Sequence, residues 1–236
     1  MGVYSNKEIK QAVAEGHIVI HPYREEYVAG SSVDVTLGHY FYRQEDTDSL
    51  RIYNPFDKEQ VSEYFRGPLE AKPHAEWCAD HGCTKFANIP DDQPIIVLRP
   101  HERILGHTHE FIGIKAPGTS TMQARSTWGR NGVAVCLDAG WGDPGYINRW
   151  TMEIYNMNQH KSVVLPVGER IAQLVFYTTG EVEQEYNKLS GKYQNSTSDK
   201  LADIIASWSP EQMLPRAYKD KRVIPPTIEG LGQGLK

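Results

Sequence analysis

The chain has 236 residues, with 25 Lys+Arg against 30 Asp+Glu for a formal charge of −5, 39% hydrophobic residues and 3 cysteines. That is the composition of an ordinary soluble globular protein of one or two domains, and it excludes a disulfide scaffold, a collagenous chain and a disordered tail. The acidic balance gives no global attraction for a nucleic-acid polymer, although it leaves room for a local basic pocket.

No apolar run approaches the ~18 residues that cross a bilayer; Ile95-Ile96-Val97-Leu98 is among the longest. Residues 1–10 lack the basic-then-apolar pattern of a signal peptide. So few cysteines fit a reducing compartment, and the expected location is cytoplasmic, away from any membrane.

At the start of the chain, Ser5 is placed to cap a helix in which Ile9, Ala12 and Val13 recur at helical spacing until Gly16 stops it. Residues 17–20 read as a short strand ended by Pro22. From 31 to 42, Val33, Val35 and Leu37 alternate with Asp34 and Thr36, the period of a strand. Residues 43–93 are rich in charge, proline and aromatics without sustained periodicity, so they are expected to be an insertion in the main fold. Strand-like runs follow at 95–98, 103–106, 111–115, 132–137, 150–156, 162–167 and 171–177. Between them lie turns such as Arg99-Pro100, Ala116-Pro117-Gly118 and Asp143-Pro144-Gly145.

Many short strands with such turns predict a mainly β fold, a sandwich or barrel of jelly-roll type, as a single domain over 1–236. Residues 199–208 read as a short helix. The Pro/Gly-rich stretch 210–236 is expected to drape over a surface, and 197–236 forms a C-terminal extension.

The chemistry concentrates between 124 and 176. Arg125, Ser126, Thr127 and Arg130 sit within one Gly-punctuated turn. Two guanidinium forks, two hydroxyls and free backbone N–H groups suit a polyphosphate, and a solvated basic turn is the plainer reading. In 150–156, Trp150, Met152 and Ile154 share one strand face while Thr151, Glu153 and Tyr155 share the other. If the Glu153 face is covered, burial and nearby arginine tune its carboxylate for proton transfer; if it is open, Glu153 simply meets solvent.

These residues resemble the dCTP deaminases and bifunctional dCTP deaminase–dUTPases of the trimeric dUTPase-like superfamily. The resemblance rests on Arg125-Ser126-Thr127-x-Gly129-Arg130-x-Gly132, on Ala139-Gly140-Trp141-x-Asp143-Pro144-Gly145-Tyr146 and on Thr151-x-Glu153-x-x-Asn156. It continues through 165–176, through 31–38 near the N-terminus, and through Gly191-Lys192-Tyr193-Gln194, similar to the family's substrate-covering motif.

The resemblance implies a dUTPase-like distorted sandwich and hydrolytic deamination of dCTP to dUTP and ammonia. Glu153 would be the general base and acid at cytosine C4, held by Arg130, with Ser126 and the Ala139 carbonyl placing the water. Arg125, Ser126, Thr127, Lys192 and Tyr193 would hold the triphosphate, Asp143 and Tyr146 the deoxyribose, and Gln173 and Gln194 the remaining nucleotide contacts. Magnesium would enter with the triphosphate, catalytic zinc is not expected, and the assembly implied is a homotrimer with sites between subunits. No H-x-E triplet in the sequence is followed by the P-C-x-x-C of the zinc deaminases.

Three positions depart from the family pattern. Asp138 stands where a small Thr is common, Asn148 replaces a Gly, and Gly142 replaces an apolar residue. They leave room for a bifunctional enzyme giving dUMP and pyrophosphate, for a dUTP diphosphatase, or for a modified cytosine as substrate. A non-catalytic nucleotide-binding or structural β-protein is the rival outside enzymes. In the insertion, His74, Cys78, His81 and Cys83 are ligand types for structural zinc at a spacing that matches no standard finger; buried thiols and a turn histidine are the alternative. His101, His107 and His109 read as structural or solvent-facing.

Overall fold

The computed structural model describes residues 2–45, 52–137, 139–189 and 192–220, so Asp138, Gly191 and the tail beyond 220 lie outside the described residues. In chain order the elements begin with α1 (Asn6–Ala14), β1 (Ile18–His21), β2 (Val28–Ala29), β3 (Ser32–Thr36) and β4 (Tyr40–Gln44). The segment 52–93 supplies α2 (Lys58–Tyr64), β5 (Phe65–Glu70), β6 (Lys72–Pro73) and α3 (His74–His81). Next come β7 (Pro94–Leu98), β8 (Arg103–Ile114), β9 (Gly118–Ala124), α4 (Ser126–Arg130), β10 (Val133–Ala134) and β11 (Trp141–Gly142). The last are β12 (Asn148–Asn156), β13 (Val163–Pro166), β14 (Arg170–Thr178) and α5 (Leu201–Ser207).

α1 starts where the sequence predicts, through a reciprocal cap: Ser5 Oγ accepts the Glu8 N–H, and the Glu8 carboxylate accepts the Ser5 N–H at 2.7 Å. Such a cap contributes about 1 kcal/mol.

Two antiparallel sheets face each other as a sandwich, with no closed barrel. The larger has the order β10-β12-β8-β4-β5 with β1 also on β8; the smaller runs β11-β9-β14-β3-β2, and a third sheet joins β13-β7-β6. Strand β8 is the organiser. Its first half pairs with β4, its second half with β1, and β12 runs along its other edge.

Two separate strands are expected over 103–115, yet β8 runs unbroken because its polar middle is paired rather than solvated. His107 Nδ1–H donates to the Thr108 carbonyl at 2.8 Å, and Glu110 accepts the Thr36 N–H and hydroxyl at 2.9 and 2.8 Å. β9 is not among the expected strands, and only 133–134 of the expected 132–137 run is strand.

The core lies between the sheets. Ile104, Ile112, Met152 and Ile154 from the larger sheet meet Val35, Met122, Leu174 and Phe176 from the smaller. Burying each such side chain is worth about 1.5–3 kcal/mol.

The outer face of the larger sheet is also covered. Val61 and Phe65 of the insertion and Met213 of the C-terminal extension pack on Tyr42 and Leu105, while Ile204 packs with Phe111 and Ile147. The segment 52–93 also joins the sheet directly, since β5 pairs with β4. Among the described residues no helix is long and apolar enough to cross a membrane.

Candidate active site

Strand β12 alternates strictly, with Met152 and Ile154 in the core and Thr151, Glu153 and Tyr155 on the opposite face. That face is roofed rather than open. Leu105 stands opposite Glu153, and Arg103 opposite Tyr155. A cavity of about 570 Å³ opens there, walled by Glu153, Arg103, Ala139, Asp143, Tyr146 and Tyr193, with Tyr53, Phe65 and Met213 also lining it. This is the size range of small-molecule sites.

Glu153 Oε2 is buried without a hydrogen-bond partner. Burial pushes the carboxyl up to about 7, against a hydrogen bond from its own backbone N–H and the charge of Arg103. A carboxyl at that value is present in both protonation states near neutrality, as proton transfer requires.

The wall beside it is the Asp143-Pro144-Gly145-Tyr146 turn. Gly145 has φ of +83°, a conformation that favours glycine, and its N–H donates to the Ile114 carbonyl at 2.8 Å. The Trp141 indole N–H reaches Asp143 Oδ1 at 3.2 Å. Tyr146 meets Trp150 and Tyr186 edge-on at 5.5 and 5.2 Å, and burial raises its hydroxyl pKa.

The Arg125–Arg130 turn lies elsewhere. Arg125 precedes the short α4, and its Nε sits 3.3 Å from Asp34, which Arg170 also contacts at 3.1 Å. Ser126, Thr127 and Arg130 are exposed. Gln173 stands in register with Asp34 and Gln123 beside them. None of Arg125, Ser126, Thr127, Arg130 and Gln173 lines the Glu153 cavity. One chain therefore brings Ala139, Asp143, Tyr146, Glu153 and Tyr193 together and holds the other five apart.

The Lys192-Tyr193-Gln194 segment is tied down within the chain. Lys192 pairs with Asp220 at 2.6 Å, Arg216 donates to the Lys192 carbonyl at 2.6 Å, and Gln194 Oε1 accepts the Ile147 N–H at 3.3 Å.

The zinc reading of the insertion does not survive. The Nε2 of His74 accepts the Phe86 N–H at 2.8 Å while Nδ1 donates to the Ile89 carbonyl at 3.1 Å, so backbone occupies both ring nitrogens. His81 Nδ1 bonds the Trp77 carbonyl at 2.7 Å, and Cys78 is buried. Among the described residues no group of three or more His, Cys, Asp or Glu could hold a metal. His107 is the structural residue expected: burial lowers its pKa to about 3, so it stays neutral.

A family model described as dCTP deaminase-like matches residues 3–179. The chain belongs to the dCTP deaminase-like family. Among its relatives, a protein of Methanopyrus kandleri named dCTP deaminase, dUMP-forming, is 32% identical over 199 residues, 82% of this chain and 91% of that one. A protein of Methanobrevibacter smithii with the same name is 30% identical over 216 residues, 86% and 96% of the two chains. The fold matches a crystal structure of 2′-deoxycytidine 5′-triphosphate deaminase from Agrobacterium tumefaciens with a TM-score of 0.51 and 16% identity. That match covers 75% of this chain and 48% of the other, so this chain spans about half of that structure.

Two departures from the dCTP deaminase pattern have structural reasons. A Cβ on Gly142 would lie 2.3 Å from the Trp150 ring, so Trp150 fills the space of the missing side chain. Asn148 is buried and donates to the Tyr193 carbonyl and Gln212 Oε1 at 3.0 and 2.9 Å, anchoring the C-terminal extension. Sequence reasoning missed Arg103 and Tyr53 in the cavity wall. Arg103 shares the Glu153 face, which is legible only once the β8–β12 register is known; Tyr53, in the aperiodic insertion, had no signal.

Proposed function

We propose that this chain converts dCTP and two waters to dUMP, ammonia and pyrophosphate, with deamination assigned to Glu153. The observation that carries the deaminase reading is the buried Glu153 carboxyl, its Oε2 unpartnered and its pKa raised to about 7, in the wall of a nucleotide-sized cavity. Glu153 removes a proton from water as its oxygen bonds to C4, then returns the proton to the departing nitrogen as the C4–N bond breaks. The Ala139 carbonyl, in the same wall, accepts the second water hydrogen and orients the attack.

The expected product, dUTP, gives way to dUMP because the Methanopyrus kandleri and Methanobrevibacter smithii relatives, matched over most of their length, carry the dUMP-forming name. In the second step water attacks the α-phosphorus, the bond to the bridging oxygen breaks, and pyrophosphate leaves. Asp143, on the cavity wall, takes that water's proton. Magnesium would enter with the triphosphate and supply counter-charge to its oxygens.

The phosphate-binding set, Arg125, Ser126 and Thr127, is supplied by a second copy of the chain, together with Arg130 as partner to Glu153. Support comes from the complementary incompleteness of the two regions and from family resemblance, which points to a homotrimer. Lys192, Tyr193 and Gln194 complete the cover, and Gln173 sits beside the phosphates. A cytoplasmic location fits the three unpaired cysteines Cys78, Cys83 and Cys136.

Incubation with dCTP and magnesium tests the reading. Ammonia, dUMP and pyrophosphate should appear in equal amounts without free dUTP. Accumulating dUTP would reduce the chain to a deaminase alone, and no ammonia would overturn the reading.

A further inference from the structure

The Glu153 cavity holds a second buried polar atom without a hydrogen-bond partner, the hydroxyl of Tyr53. The reaction above makes no use of it. Tyr53 comes from the insertion, and its ring is fixed by stacking on Tyr64 at 4.4 Å and standing edge-on to Phe65 at 6.4 Å. A buried tyrosine hydroxyl usually finds a partner, since leaving one unpaired costs about 1–3 kcal/mol.

Arg103 lines the same cavity as both orphaned atoms. It lies on the Glu153 face of β8, Gln44 holds its guanidinium, and its charge acts on both Glu153 and Tyr53. Phe65, Pro55 and Met213 supply apolar surface to the same cavity. Apolar walls with a few fixed polar groups are the lining for a short carbon stem that ends in oxygen.

The identity of that group follows from the ring, on the reading that Glu153 works at C4. The reacting carbon has two ring neighbours: N3, which carries no substituent, and C5, which can. We infer that the site takes a cytosine deoxynucleotide bearing a short oxygen-ended group at C5, with the Tyr53 hydroxyl hydrogen-bonded to that oxygen and Arg103 facing it. The insertion is then the part of the chain that sets base specificity, and unmodified cytosine leaves the Tyr53 hydroxyl without a substrate partner.

The test compares kcat/KM for ammonia release from dCTP, 5-methyl-dCTP and 5-hydroxymethyl-dCTP, in the wild-type chain and in Tyr53→Phe. The methyl compound controls for size, and the substitution removes only an oxygen while keeping the stacked ring. Wild type should favour the hydroxymethyl over the methyl substrate about tenfold, the worth of one well-made hydrogen bond. Tyr53→Phe should erase that ratio. A wild-type ratio near one, or a ratio that Tyr53→Phe leaves unmoved, overturns the inference while turnover of dCTP keeps the deaminase reading. No ammonia from any of the three overturns both.

Discussion

The Glu153 cavity and the Arg125–Arg130 turn are opposites in every physical respect. The first buries a carboxylate oxygen with no partner; the second leaves Arg130, Ser126 and Thr127 in water beside an Arg125 only loosely held by Asp34. A buried, unpaired carboxylate is costly, and an exposed guanidinium binds anions weakly because water screens it. Each region supplies what the other lacks. The comparison teaches that a single chain keeps the two regions apart; on the proposed reading they are half-sites, and catalysis takes them from different copies.

The hardest blow to this comparison is removal of the carboxylate. Glu153→Gln should lower the deamination rate by about 10²–10⁴-fold while nucleotide binding is retained, read by ammonia release and by calorimetric titration with dCTP. Near-normal turnover would remove Glu153 from its role.

Arg130→Gln is expected to cost about 10²-fold and also to move a pH profile. An adjacent cation favours the ionised carboxylate, so the wild-type acid limb of kcat/KM lies below about 7 and the variant limb rises to about 7, the value Glu153 has within a single chain. A variant limb at the wild-type position would leave Arg130 without contact to Glu153.

The smallest effect concerns stability. A carboxyl raised from 4.5 to about 7 binds more protons folded than unfolded across that window, so stability falls as pH rises through it. Glutamine does not titrate. Under conditions that keep the chain monomeric, Glu153→Gln should therefore be more stable above pH ~7 by about 1–3 kcal/mol, discounted for partial solvent access, and the gain should vanish toward pH ~4.5. Thermal melts across that range check it.

Much of the fold was legible where one face of an element meets a core. The Ser5 cap, the Val33-Val35 alternation and the β12 pattern were all readable, because local periodicity and burial agree there. The insertion was not legible: α2 and β5 owe their place to packing of Val61 and Phe65 on Tyr42 and Leu105, contacts distant in sequence. Periodicity also left open whether Glu153 faced solvent or a covered wall. The answer depends on Met213 and Phe65, which roof that face from 60 and more residues away, and no local pattern encodes such a roof.

Arg103 shows the same limit. Its face follows from its register with Tyr155, which is fixed by pairing rather than by its own neighbours. Asn148 and Gly142 were visible as departures from the family pattern, but their reasons, the anchored extension and the Trp150 ring, are tertiary.

The shared site is tested most directly by mixing two crippled chains. Glu153→Gln and Arg130→Gln each lose at least about 10²-fold in this account, yet co-expressed they form assemblies in which some sites combine the intact Glu153 of one copy with the intact Arg130 of another. With random association in a cyclic assembly, activity should recover to roughly a quarter of the wild-type rate per site. A mixture no more active than the sum of its two parents would contradict the account.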